Sequence, residues 1–169
     1  MSVLPFVLAA ANAISPNKDH TVIAEAIARA IECGPALFQN DDDLSRTAAL
    51  AVAVAFQEGS LGTRVEGDFR GGKPTSWCTF QIHIPSGRTR EGWTGPELRD
   101  DAVKCATVGL RMLRESARVC RTAPVAWYAV GGTKACASPR GLRISRDRVA
   151  LATRLHAAAT AALAAESST

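Results

Sequence analysis

The stretch Ala48-Ala-Leu-Ala-Val-Ala-Val-Ala-Phe56, followed by Gln57-Glu58-Gly59, decides the fold. Every residue from Ala48 to Phe56 is apolar, so a helix formed there has no polar face and must run through the middle of a domain. The acidic run Asp41-Asp42-Asp43 precedes it and suits the positive end of the helix, with Asp43 or Ser45 as the cap. Gly59 is a natural C-terminal stop, which makes Glu58 the last or next-to-last helical residue.

Outward from that core the chain reads as further helices. On the N-terminal side, Ser15-Pro16-Asn17-Lys18 predicts a turn and Asp19 an N-cap. The helix that follows has Val22, Ile23, Ala26, Ile27, Ala30 and Ile31 as its apolar positions and ends at Gly34-Pro35. The segment before it, up to Ala13, is apolar and carries a small-residue site at Ala11-Asn12-Ala13, but lacks the positive flank of a secretory signal. A first core helix is therefore expected there.

On the C-terminal side, residues 60–90 lose helical periodicity and fill with Gly, Asp, Ser, Thr and Pro. Thr79-Phe-Gln-Ile-His-Ile84 alternates enough for one brief strand or turn. Thr94-Gly-Pro-Glu97 has the form of a capping box and opens a long helix from about Asp100 to Val119. Ala123 to Val130 predicts a short helix closed by Gly131-Gly132, and Ser145 a cap for an Ala-rich helix to about Ala164. The expectation is one domain over residues 1–169, mainly α. It is a helical bundle around a central buried helix, with a small irregular or β-containing loop region at 60–90.

The 169 residues are 47% hydrophobic and 21% charged, ordinary globular usage, with a net charge of +4. That modest basic excess either assists approach to polyanions or simply solubilises the surface. No apolar run approaches the ~20 residues that span a bilayer, so membrane insertion is not expected. Arg111, Arg114, Arg118 and Arg121 form a basic stripe at helical spacing, but no base-stacking aromatics accompany it, and no nucleic-acid partner is expected. His20, His83 and His156 give no ligand-spaced pair, and Gly71-Gly72-Lys73 lacks the rest of a phosphate loop. Neither metal nor cofactor is predicted, and a monomer is expected.

Five cysteines are many for a cytosolic protein of this size. Cys105 and Cys120 share one predicted helix and stand about 22 Å apart on it, too far to bond. Cys120 with Cys136, and Cys78 with Cys105 or Cys33, are the candidate pairs; reduced, buried thiols are the alternative.

Glu58 carries the most distinctive chemistry. Burial and the negative end of a helix both favour its protonated form. Such an acid suits glycosidic cleavage, where the leaving oxygen must receive a proton. The alternative is an ordinary solvated glutamate at a helix end.

Three landmarks follow one another in order: Ala55-Phe-Gln-Glu58-Gly-Ser60, then Gly67-Asp68 through Ser76-Trp77-Cys78-Thr-Phe80-Gln81-Ile82, then Trp127-Tyr128-Ala-Val-Gly131-Gly132. Together they resemble the lysozyme-like superfamily, in particular lytic transglycosylases and goose-type lysozymes, over roughly residues 48 to 155. The resemblance implies a lysozyme-like α+β fold and a peptidoglycan glycosidase that cleaves the MurNAc-GlcNAc β-1,4 bond in glycan strands. Glu58 would protonate the glycosidic oxygen, Gln81 would contact sugar or position Glu58 from the opposite wall of the cleft, and Tyr128 would hydrogen-bond near the scissile bond or Glu58. Ser60, Ser76 and His83 are candidate substrate contacts, with turn roles as the alternative for the two serines. Trp77 and Trp127 either stack on sugar faces or pack in the core.

Three departures from the family pattern stand out. Cys78 occupies a usual Gly and suggests a local disulfide or tighter packing, Tyr128 is followed by Ala129 and Val130 where Tyr-Asn-Ala-Gly is usual so that an amide ligand is missing, and His83 stands where the goose-type enzymes show an aspartate. Inverting hydrolysis needs a second carboxylate about 6.5–9.5 Å from the acid. Asp68 is the candidate, with Glu66 behind it. Without such a base a single glutamate suffices for a lytic transglycosylase, the favoured expectation. Hydrolytic muramidase, chitinase- or chitosanase-like activity and glycan binding without catalysis are the alternatives. The resemblance implies action in the periplasm or cell wall, by secretion, effector delivery or association with a phage.

Overall fold

Helices α1 (Leu4–Ile14), α2 (Thr21–Glu32) and α3 (Ser45–Gly59) lead into three two-residue strands, β1 (Glu66–Gly67), β2 (Ser76–Trp77) and β3 (Ile82–His83). Helices α4 (Gly95–Asp100), α5 (Ala102–Val119), α6 (Ala126–Val130) and α7 (Pro139–Glu166) complete the chain in this computed structural model, which describes residues 2–168. The protein is mainly helical with one small antiparallel sheet of order β1-β2-β3, in which Trp77 stands opposite both Glu66 and Ile82.

The all-apolar stretch is the centre of α3, and Ala48 to Ala55 are buried without exception. Helix α7 lies along α3 and α1, while α2 packs on α5. One contiguous apolar core thus collects Val7, Ile27, Leu50, Phe80, Leu110 and Leu155 from elements spread over the whole chain. Helix α1 contributes Phe6, Val7, Ala10 and Ala11 to it, so the first apolar segment is built into the core. Among the described residues no helix is long and apolar enough to cross a membrane.

The start of α3 is organised by Asp41 more than by the predicted caps. Its buried carboxylate accepts from Arg46 N at 3.0 Å, from Thr47 N at 2.7 Å and from Thr47 Oγ1 at 2.5 Å, while Asp43 takes Ser45 N at 3.0 Å. These bonds satisfy amide donors that a helix leaves open at its first turn. The predicted box at Thr94 and Glu97 caps α4, and Asp101 caps α5 through Val103 N and Lys104 N, both at 3.0 Å.

Two local expectations are corrected. Val22 is 57% exposed because the inward face of α2 runs through Ile23, Ala24, Ile27 and Ile31, next to it on the wheel. Ser145 does not cap the last helix, which begins about two turns earlier with Ser138 as cap and Pro139 at its first position. Ser145 is buried inside α7, where its hydroxyl accepts from Val125 N at 3.1 Å and fastens the α6 segment to α7.

Disulfides join Cys78 to Cys105 and Cys120 to Cys136, with Cα separations of 6.1 and 5.0 Å. Both are pairings proposed from the sequence. Cys33 is free and exposed, which removes the alternative partner for Cys78.

Candidate active site

Glu58 occupies the next-to-last position of α3, and the local fold there explains its exposure to a groove. The helix closes with Ser60 N on Phe56 O at 2.7 Å and Leu61 N on Ala55 O at 3.4 Å, a Schellman closure with Ser60 in the left-handed region at φ 53°. Gly59 stays helical instead of supplying the left-handed stop. Its missing side chain serves a close approach: a Cβ there would fall 2.6 Å from Thr79 Cα and 2.7 Å from Thr79 O. Thr79 in turn donates its hydroxyl to Ala55 O at 3.1 Å. The backbone of the 78–81 turn is thereby laid directly on the end of α3, which fixes Gln81 relative to Glu58.

A groove of about 530 Å³ runs over this junction, with Glu58, Asp68, Ser76, Gln81, Trp127 and Tyr128 on its walls and His83 at its edge. Seven of the nine substrate or catalytic residues predicted from sequence are brought together there. Tyr128, on α6, donates its hydroxyl to Phe80 O. Burial, and then the charge of Glu58 nearby, push the Tyr128 phenol well above its ordinary value. Gln81, at φ 45°, donates its amide to Cys78 O at 3.1 Å. His83 contacts Thr75 O through Nδ1 at 3.1 Å. Ser76 is buried and donates to Asp68 Oδ2 at 2.5 Å, so it orients the second carboxylate of the groove.

The remaining two predicted residues lie elsewhere. Ser60 is exposed as the left-handed residue that ends α3, a turn role, and does not line the groove. Trp77 points away because neighbouring residues of a strand alternate in direction, and Ser76 takes the groove side. Its ring sits on Gly95, where a Cβ would lie 2.0 Å from Trp77 Cε2. Core packing accounts for Trp77. Glu66 also stays out of the groove: Arg99 Nη1 binds its carboxylate at 2.8 Å and ties β1 to α4.

Arg148 was not singled out from the sequence, yet it forms an ion pair with Glu58 across the α3–α7 contact. The two side chains are 12% and 20% exposed, respectively, so the pair is largely withdrawn from water. The Nε of Arg148 is buried and has no hydrogen-bond partner among the described residues. A signal was present: Ser145, Arg148, Ala152, Leu155 and Ala159 recur at steps of three and four on the inward face of α7. An arginine on that stripe needs a carboxylate inside.

The basic stripe on α5 is partly consumed. Arg111 pairs with Glu91 at 2.5 Å and with Glu115 at 3.1 Å, and Arg114 donates to Pro35 O at 2.7 Å. Among the described residues no three His, Cys, Asp or Glu side chains are grouped to hold a metal ion. His20 contacts Ser15 O and His156 contacts Ser45 Oγ, each at 2.8 Å, as parts of the helix packing. The groove therefore offers a paired carboxyl at its centre, a second carboxylate, amide and hydroxyl groups, and an indole. In comparisons with family models, curated proteins and solved structures, nothing matches this chain.

Proposed function

We propose that the protein is a peptidoglycan-degrading glycosidase that cleaves the β-1,4 bond between N-acetylmuramic acid and N-acetylglucosamine as a lytic transglycosylase. One observation carries the reading: a single groove gathers Glu58 from α3, Gln81 from the turn before β3 and Tyr128 from α6. Those are the three positions at which the chain resembles lytic transglycosylases.

In this scheme Glu58 first gives a proton to the glycosidic oxygen as the bond to the muramyl C1 breaks. It then takes the proton of the C6 hydroxyl of the same sugar as that oxygen attacks C1. The product is a 1,6-anhydro end, no water is consumed, and Glu58 returns to its starting form. The ion pair with Arg148 suits the second half, in which Glu58 acts as a base. The first half needs Glu58 with its proton, so in this scheme the pair with Arg148 has to open before the glycosidic bond breaks. Tyr128 and the Gln81 amide hold the far wall.

Asp68 favours a second reading. It lines the same groove and is oriented by Ser76, as a general base for water would have to be. Hydrolysis would then leave a reducing end. In either case the substrate implies action in the periplasm or cell wall, reached by secretion, effector delivery or a phage particle.

Mass spectrometry of fragments released from purified sacculi distinguishes the outcomes. Anhydro ends are expected from the wild-type protein and no release from Glu58→Gln. Reducing ends would move the assignment to a muramidase, and undiminished release by Glu58→Gln would overturn it.

A further inference from the structure

Beyond Asp68 the groove opens into a second arm of about 530 Å³, whose walls include Asp68, Phe69, Arg70, His83, Val130 and Arg140. Asp68, His83 and Val130 line both arms, so the two are continuous. The second arm differs in chemistry from the first. Arg70 enters from the hairpin closed by the bridge between Arg70 and Lys73, and Arg140 from the first turn of α7. Neither guanidinium has an ion pair or a side-chain hydrogen bond among the described residues. Among the described residues that line the two arms they are the only arginines.

The one carboxylate on the walls of this arm, Asp68, accepts from the Ser76 hydroxyl at 2.5 Å and pairs with neither arginine. Two guanidiniums without partners against one carboxylate leave the arm with an excess of positive charge and unused donors. The rim is apolar as well. Of the five large hydrophobic side chains left exposed among the described residues, Phe69 at 60% and Val130 at 37% both stand here. An uncharged sugar chain has no use for two guanidiniums, whereas a carboxylate is their natural partner.

We infer that this arm binds the carboxylate-bearing branch of the muramyl sugar, while the arm at Glu58 holds the uncharged sugar backbone. The inference rests on the glycosidase reading above. The branch presents carboxylate either as the free lactyl group or at the peptide attached to it. Arg70 and Arg140 recognise the charge, and Phe69 and Val130 cover the aliphatic part of the branch. Their role is in binding, so they act on the apparent KM and not on the bond-breaking step.

The test uses the full chain and the double variant Arg70→Gln/Arg140→Gln on three substrates. These are native sacculi, sacculi whose carboxyls have been amidated with a carbodiimide, and strands stripped of peptide by an amidase, which carry only the lactyl carboxylate. Wild type is expected to show an apparent KM on native sacculi lower than on amidated ones by roughly three- to tenfold, the scale of two solvent-exposed charge pairs. The double variant should lose that difference, with kcat within about twofold of wild type and an unchanged circular dichroism spectrum. If it also loses ground on stripped strands the lactyl carboxylate is the ligand; if only on sacculi, a peptide carboxylate is. Equal KM values for wild type on native and amidated sacculi, or an unaffected double variant, would overturn the inference alone. Release from none of the three by wild type would remove the glycosidase reading and the inference with it.

Discussion

Replacing Arg148 by Met separates what the ion pair contributes from what the arginine stem contributes by packing, because Met keeps an unbranched apolar chain in the same space. A fully buried pair that loses one partner costs about 3–5 kcal/mol, and an exposed pair is worth about 0.2–1 kcal/mol. With Arg148 and Glu58 12% and 20% exposed, the expected loss lies between those limits, about 2 kcal/mol. In a chain of this length each kcal/mol moves the melting temperature by about 2–4 °C, so a fall of roughly 4–8 °C is expected. Glu58→Gln should cost less, about 1 kcal/mol, since the amide oxygen still accepts from the guanidinium. The double variant then decides the matter. With no charge left unpaired it should be more stable than the sum of the single losses predicts, by a coupling of about 1–2 kcal/mol. Urea unfolding of the oxidised protein, followed by tryptophan fluorescence, measures all four corners of the cycle. A coupling below about 0.3 kcal/mol would show that the two side chains do not sense each other in solution and would refute the pairing.

Other predictions follow from the same geometry. Tyr128 is the only tyrosine, so the phenolate absorbance near 295 nm reports it alone; native protein should show no ionisation at the ordinary value of 10, and unfolded protein should. Because the folded value is the raised one, the stability tied to it is complete below the ordinary value and is lost as pH rises through the folded value. Removing the Cys78–Cys105 bridge as Cys78→Ala/Cys105→Ala opens a loop with a sequence separation of 27 and should cost about 3.5 kcal/mol by loop entropy, read as a shift in the urea midpoint. At the acid end, backbone amides hold the carboxyls of Asp19, Glu32, Asp43 and Glu97 below their ordinary values, and Arg99 does the same for Asp100. The stability tied to these carboxyls should therefore be complete above their ordinary values and decline as pH falls through the lowered ones, because the unfolded chain takes up protons first. A melting temperature that held constant down to pH 3 would contradict this.

Much of the fold was legible because its signals were local. An all-apolar helical run has only one place to go, a Thr-x-x-Glu box announces its own helix, and cysteines that share one helix exclude each other as partners. Ser138-Pro139 was an equally local start signal for α7. Its weakness as a signal is that Arg140-Gly141-Leu142-Arg143 interrupts the apolar pattern that marks a helix by its buried face. The first turns of α7 are largely exposed and show no such face. Trp77 was ambiguous for a different reason: adjacent strand residues face opposite ways, and which of Ser76 and Trp77 meets the groove depends on the sheet's packing against Gly95. Arg148 was hardest to see. On an Ala-rich helix with arginines at 140, 143, 146, 148 and 154, charge alone does not separate a solvated guanidinium from a buried one. Only the i, i+3, i+4 alignment with Leu151, Ala152 and Leu155 does.

The junction of α3 with the 78–81 turn links that fold to the proposed chemistry. Cys78 and Gln81 both hold left-handed backbone, at φ 59° and 45°, where residues with side chains are seldom found. At Cys78 the cost of that conformation is offset by two tethers on one face of α5: the disulfide to Cys105, and the contact of the Phe80 ring with Gly109 one helical turn further on. The same turn offers Phe80 O to Tyr128 and Cys78 O to Gln81, so two of its carbonyls orient groove side chains. Glycine adopts such a backbone freely. Cysteine does not, and the disulfide supplies the restraint that makes it acceptable. The bridge therefore acts on the groove as well as on stability. Losing it frees the turn to relax towards ordinary φ values, and Gln81 and Tyr128 would lose their alignment with Glu58 before α3 itself is disturbed.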